Sequence, residues 1–274
     1  MPELNNWFYE LILIVYGASI TGYFLDFIQS NRKANRTAFW LLSLVWILQT
    51  FFLLYQVFTE SSFPVLNIYD GLYFYAWILV TFSLFINHRI FRIDFIVFFT
   101  NLLGFFIMLL HIATSAQSTG VKKSVHLMSE LLIAHISLAM ISYGFFTLSF
   151  IISLTYLLQY RLLKMKKGYR WLKRLGGLDK LDAFSFKTIT LGVPLLLISI
   201  ILGIVWAYTS GAEFYWYDVK TVGSFVVLIV YMIHLFLRLV RGYQGRIIAL
   251  FNTAAFLFLL VNFFLFGTLS NFHF

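Results

Sequence analysis

An all-α integral membrane protein of eight transmembrane helices, with both termini on the outer face, is the fold class this sequence predicts. Three observations predict it. First, 61% of the 274 residues are hydrophobic and only 11% are charged, with a mean hydropathy of +0.87. A water-soluble domain carries roughly 25% charged residues, so this chain cannot cover a water-facing surface. Second, its apolar residues fall into eight stretches, seven of them near the ~20 residues a helix needs to cross a hydrocarbon core and the fifth longer. Third, 17 of the 20 Lys and Arg residues lie in alternate connections between those stretches, the bias that marks the cytoplasmic side. The same composition excludes other classes. Three Pro and 16 Gly rule out collagen-like and low-complexity chains, and the absence of Cys removes disulfide, thiolate-zinc and thiol-redox chemistry.

The expected spans form a single polytopic membrane domain over residues 1–274. The first, Trp7–Ile28, follows Met1-Pro2-Glu3 without a basic n-region, so it is expected to remain as a helix and not to be cleaved as a signal peptide. Its small residues Gly17, Ala18, Ser19, Thr21 and Gly22 suit close helix packing. Arg32, Lys33 and Arg36 separate it from the second span, Thr37–Phe58, and Arg89 and Arg92 separate Asp70–Asn87 from Ile93–His111. The fifth span, Met128–Tyr160, belongs to a stretch of 39 residues without Pro, from His126 to Lys164. As one helix that stretch is ~58 Å long against a ~30 Å core, so its start projects outward and His135 lies at or beyond the outer interface. Thr188–Tyr208, Thr221–Leu237 and Ile247–Gly267 complete the set, with Arg238, Arg241 and Arg246 between the last two. Only Lys122, Lys123 and Lys220 fall on the opposite side, so the net charge of +9 is a topology signal and not a nucleic-acid footprint. Residues 161–187 hold nine basic and two acidic residues interleaved with Leu162, Leu163, Met165, Trp171 and Leu172. Such a cytoplasmic basic loop suits an anionic lipid surface, and it is large enough to hold a soluble protein partner.

The six histidines are the candidate metal ligands. His111, His126, His135 and His273 fall at the outer face, His88 in an inner connection, and His234 about one turn inside Arg238. Zinc-protease, Walker A and dinucleotide spacings are absent, and no paired carboxylates or nucleophile and base set stands out, so a non-enzymatic role is expected. The connection from Trp206 to Thr221 interleaves Tyr208, Phe214, Tyr215, Trp216 and Tyr217 with Glu213, Asp218 and Lys220. An interfacial aromatic belt accounts for the rings alone. Flat aromatic faces with a few polar groups also form a cradle for a planar macrocycle bearing propionates, with flanking His as axial ligands and Asp218 setting their orientation.

Three segments carry a resemblance. Trp206-Ala207, the run Tyr215-Trp216-Tyr217-Asp218-Val219-Lys220-Thr221 and the helix ending Tyr231 to Arg238 resemble the tryptophan-rich region of the cytochrome c assembly protein family. Phe63 to Gly71 with Ala76-Trp77 resembles that family's outer loop and third helix. His135-Ile136-Ser137-Leu138 with Ser142-Tyr143 resembles its segment with an external haem-ligating histidine. The resemblance runs in order over about residues 60–274. It implies a bacterial cytoplasmic-membrane protein that binds haem non-covalently, as b-type haem, at the outer face. His135 matches the first external ligand, and Trp206, Tyr215, Trp216 and Asp218 match the haem-facing loop. The family's second external histidine is replaced by Ser270 in Gly267-Thr268-Leu269-Ser270, and His273 is the nearest substitute. His111, His126 and His234 are alternates for the iron. The short chain and the sparse Trp pattern resemble the HemX branch, which is associated with tetrapyrrole biosynthesis and with lowering the level of glutamyl-tRNA reductase. The resemblance thus implies glutamyl-tRNA reductase or its degradation machinery as a partner at the basic loop 161–187. The alternatives are the membrane subunit of a cytochrome c haem lyase and, ranked below it, a haem or porphyrin transporter.

Overall fold

The computed structural model describes residues 2–29, 31–60, 68–89, 94–115, 130–166, 168, 174–210 and 219–269. These residues form eight α-helices and no strand: α1 (Pro2–Gln29), α2 (Arg32–Glu60), α3 (Ile68–Arg89), α4 (Asp94–Ser115), α5 (Glu130–Lys164), α6 (Leu178–Thr209), α7 (Val219–Leu239) and α8 (Arg246–Leu269). Seven are long and apolar enough to cross a membrane, and α3 carries a shorter apolar stretch, Gly71–Asn87. The protein is a multi-pass membrane protein.

The largest departure from expectation is α6, which starts at Leu178, ten residues before the expected Thr188. Lys180, Asp182 and Lys187 lower the local hydropathy, yet Leu181, Ser185 and Thr188 are buried along one face and carry the helix inward. The last ten residues of the expected basic loop are therefore helical.

The chain divides into two compact units, Met1–His126 and Leu127–Phe274. In the first, α1, α2, α3 and α4 form a closed ring in which each helix packs on its neighbours in sequence, and α4 closes on α1. Asn31 caps α2, its Oδ1 accepting the Lys33 and Ala34 backbone N–H groups at 3.0 and 3.4 Å. α1 and α2 approach closely, because a Cβ at Gly22 would lie 2.9 Å from that of Ala38, while the Ser19 hydroxyl donates to the Ala38 carbonyl at 2.9 Å. α2 and α3 are cross-locked by two equivalent pairs. Trp46 Nε1 donates to Thr81 Oγ1 and Trp77 Nε1 to Thr50 Oγ1, both at 2.9 Å, with the two indoles stacked 6.4 Å apart. Tyr9, Tyr16 and Tyr23 are buried at seven-residue steps along α1. Their hydroxyls bond to Gln56, Asn101 and Asn87 of the other three helices. Polar groups thus face the bundle interior, where they find partners that lipid cannot supply.

In the second unit α5, α6, α7 and α8 close a similar ring. α5 and α6 meet in one antiparallel register: His135 bonds at Ser199, Ser142 at Gly192 and Ser149 at Ser185, each pair seven residues from the next. A seven-residue step keeps one face of each helix on the other, as in left-handed supercoils. α8 packs against α5 in a register of its own, with Phe150 stacked on Phe256 at 4.3 Å and Arg246 over the Tyr160 ring at 5.7 Å. Asn252 donates to Ser149 and Ser153, both at 2.8 Å, which links α8 to the α5–α6 ladder.

Candidate haem-ligand site

His135 lies in the second turn of α5, at the end of the second unit where α6 finishes. Its Nδ1 is 2.6 Å from the Ser199 carbonyl oxygen, and the Ser199 hydroxyl donates back to the His135 carbonyl at 2.8 Å. A carbonyl oxygen only accepts, so Nδ1 carries a proton, and in the neutral imidazole Nε2 then keeps its lone pair. Nε2 makes no hydrogen bond among the described residues. The imidazole also lies against Gly203, where an added Cβ would come within 2.7 Å of Nδ1 and Cε1. Ligating histidines commonly have this arrangement, with one ring nitrogen bonded to a carbonyl and the other presented to a metal.

Of the other expected site residues, Trp206 and His234 are described in this unit, at opposite ends of it. Trp206 lies two turns beyond Ser199 on α6, toward the same end as His135, and its carbonyl accepts the Ser210 N–H at 2.8 Å to close the helix. Tyr215, Trp216, Asp218, His126 and His273 lie outside the described residues. His234 is fully buried at the opposite end of the unit, one turn from Arg238 on α7, and neither of its ring nitrogens has a hydrogen-bond partner among the described residues. Arg238 pairs with Asp182, 17 residues before Ser199 on α6. His234 and His135 are therefore about 20 Å apart along the bundle and cannot share one iron. His111 belongs to the first unit, with its ring 4.8 Å from that of Tyr9 and 5.5 Å from that of Tyr73. Beside them on α2, Gln49 accepts the Tyr73 hydroxyl on its backbone carbonyl.

The residues present fit haem iron, since the macrocycle supplies most of the iron's ligands and the protein would add only one or two nitrogens, one of them from His135. Among the described residues, no group of three or more His, Cys, Asp or Glu could hold a bare metal ion.

A family model described as "Cytochrome C assembly protein" matches residues 65–273. The chain belongs to the cytochrome c assembly protein family. It is 49% identical over 273 residues to protein HemX of Bacillus subtilis (strain 168), covering all of this chain and 97% of the relative. It is 44% identical to protein HemX of Brevibacillus brevis, covering all of this chain and 99% of that protein. A more distant family member, cytochrome c biogenesis protein CcsA of Cyanophora paradoxa, is 28% identical over 78% of this chain and 75% of its own. These relatives bear out the family that the three sequence segments suggested and the branch that the short chain and sparse Trp pattern suggested.

Ser199 and Gly203 drew no notice in the sequence. Their only signal was four-residue spacing of small residues in an apolar helix, a general mark of close packing that does not say what packs there.

Proposed function

We propose that this protein is a haem-binding regulator of the HemX type that lowers the level of glutamyl-tRNA reductase. The observation that carries the haem reading is the His135 imidazole, anchored through Nδ1 on Ser199 with Nε2 left as a ligand. Haem would supply a redox-active iron whose occupancy follows the cell's haem supply. The chain's residues divide the remaining work. His135 and His273 would hold the haem iron, and Trp206, Tyr215 and Trp216 would form an aromatic cradle that keeps water from the ring. Asp218 orients a ligand or sets the local charge. The role toward glutamyl-tRNA reductase comes from the HemX resemblance, with basic loop 161–187 as the surface that reaches the reductase or its degradation machinery.

The proposal includes eight membrane crossings with both termini outside. Each unit gathers basic side chains at one end. Arg161, Lys164, Lys180, Arg238, Arg241 and Arg246 all lie at the end of the second unit opposite His135, as expected if His135 faces outward. The chain has no native cysteine, so single cysteines report orientation directly. Ser210→Cys should react with a membrane-impermeant maleimide in intact cells, and Arg241→Cys only after permeabilisation. The reverse pattern would invert the topology.

The similarity to CcsA favours a second reading, the membrane subunit of a cytochrome c haem lyase. A deletion strain separates the two. Raised glutamyl-tRNA reductase with normal c-type cytochromes is the result expected for the regulator. Loss of c-type cytochromes with an unchanged reductase level would overturn it in favour of the lyase.

A further inference from the structure

We propose that Ser199 and Gly203 are positioning residues that hold His135 in its Nδ1–H tautomer and make Nε2 the only nitrogen it offers to a metal. The haem ligand itself rests on the reading above; the tautomer and ring position do not.

The first part of the argument is local. A carbonyl inside an α-helix already accepts the N–H four residues later, so a second donor must approach from the side through its remaining lone pair. Helical Cβ atoms tilt toward the N-terminus, so the side chain at position 203 would stand over the carbonyl of position 199. At Gly203 that side chain is missing, and the imidazole occupies the space. An added Cβ would lie 2.7 Å from Nδ1, 2.7 Å from Cε1 and 3.2 Å from Nε2. Any larger residue therefore forces the ring to shift, away from the bond that sets its tautomer.

The second part is the register. The hydroxyl of Ser199 returns a 2.8 Å bond to the His135 carbonyl, which holds the two helices level at this point. The bonds of Ser142 to Gly192 and of Ser149 to Ser185 repeat that level at the next two seven-residue steps. At Gly192 an added Cβ would lie 2.7 Å from Phe146, so this step too has no room for a side chain. The imidazole cannot escape a clash at Gly203 by sliding α5 along α6 without breaking every step of the ladder. A short bond from Nδ1–H to a carbonyl also makes Nε2 a stronger donor, which favours the ferric state of a bound iron and lowers its reduction potential.

The test is nitrogen NMR of the full-length, haem-free protein, labelled with 15N-histidine and reconstituted in lipid. The His135 signals are identified by their loss in His135→Ala. The expected wild-type result is a protonated Nδ1 and an unprotonated Nε2. Gly203→Ala should shift the pair toward protonated Nε2 or a mixture, weaken haem binding about 10–100-fold and raise the midpoint potential of the haem that remains. Ser199→Ala keeps the backbone carbonyl, so it should retain the tautomer and lose less affinity than Gly203→Ala. A wild type with protonated Nε2 overturns the proposal, as does a folded Gly203→Ala with unchanged tautomer and affinity. The wild-type tautomer decides the matter even if Gly203→Ala does not fold. A wild type that binds no haem but shows protonated Nδ1 supports the positioning and sinks the haem reading alone.

Discussion

Replacing His135 with Ala should abolish or shift the Soret band and the sharp reduced α and β bands expected of the purified, detergent-solubilised wild type. The substitution removes the imidazole while leaving most of its surroundings satisfied. The Ser199 hydroxyl donates to the backbone carbonyl of residue 135, which Ala retains, and the Ser199 carbonyl keeps its helical partner. The fold should therefore survive, and the spectrum should report on ligation. Partners of a metal-bound histidine alone carry about 10–100-fold in affinity, so loss of the ligand itself should cost at least that much. A titration with haem, oxidised and reduced, of both proteins provides the measurement. An unchanged spectrum in the variant would remove His135 from the site.

The largest expected effect on stability is at the other end of the second unit. Arg238 Nη2 lies 2.5 Å from Asp182 Oδ2, with the two side chains only 11% and 13% exposed. Asp182 Oδ1 accepts the Gly245 N–H at 3.1 Å, and the Arg238 guanidinium lies over the Phe186 ring at 5.3 Å. Gly245 has φ +73°, and an added Cβ would lie 2.9 Å from the Tyr156 hydroxyl, so the turn between α7 and α8 needs a glycine here. One carboxylate thus ties α6 to α7 and to the turn leading into α8. Arg238→Ala leaves that carboxylate buried with no counter-charge, which should destabilise the protein by about 3–5 kcal/mol. Asp182→Leu combined with Arg238→Met removes both charges together and should recover most of that loss. Thermal unfolding in detergent of the wild type, the single variant and the double variant measures it. A single variant within about 1 kcal/mol of wild type would show that water reaches the pair and screens it.

Much of the architecture was legible in the sequence because hydropathy is a property of one short window. Each expected span falls largely within one helix of the structure. The start of α6 was not legible, since a membrane helix can begin in a basic, amphipathic turn that a window average reads as loop. The ion pair was hidden for a related reason. Arg238 and Asp182 were counted as a topology charge and as a loop acid, yet 56 residues apart in sequence they are bonded to each other. At the candidate site, resemblance pointed to His135 but not to the groups that orient it.

By itself, then, the sequence determined that the chain is helical and membrane-embedded, where the helices run, and which family it belongs to. Each of these depends on residue type along a local stretch. Only the tertiary structure decided that His135 bonds to Ser199 through Nδ1, that Gly203 makes room for its ring, and that His234 stands too far away to share one metal ion with it. Those results depend on the register between helices far apart in sequence. The register is settled by many small packing and hydrogen-bond terms acting together, and no single segment carries it.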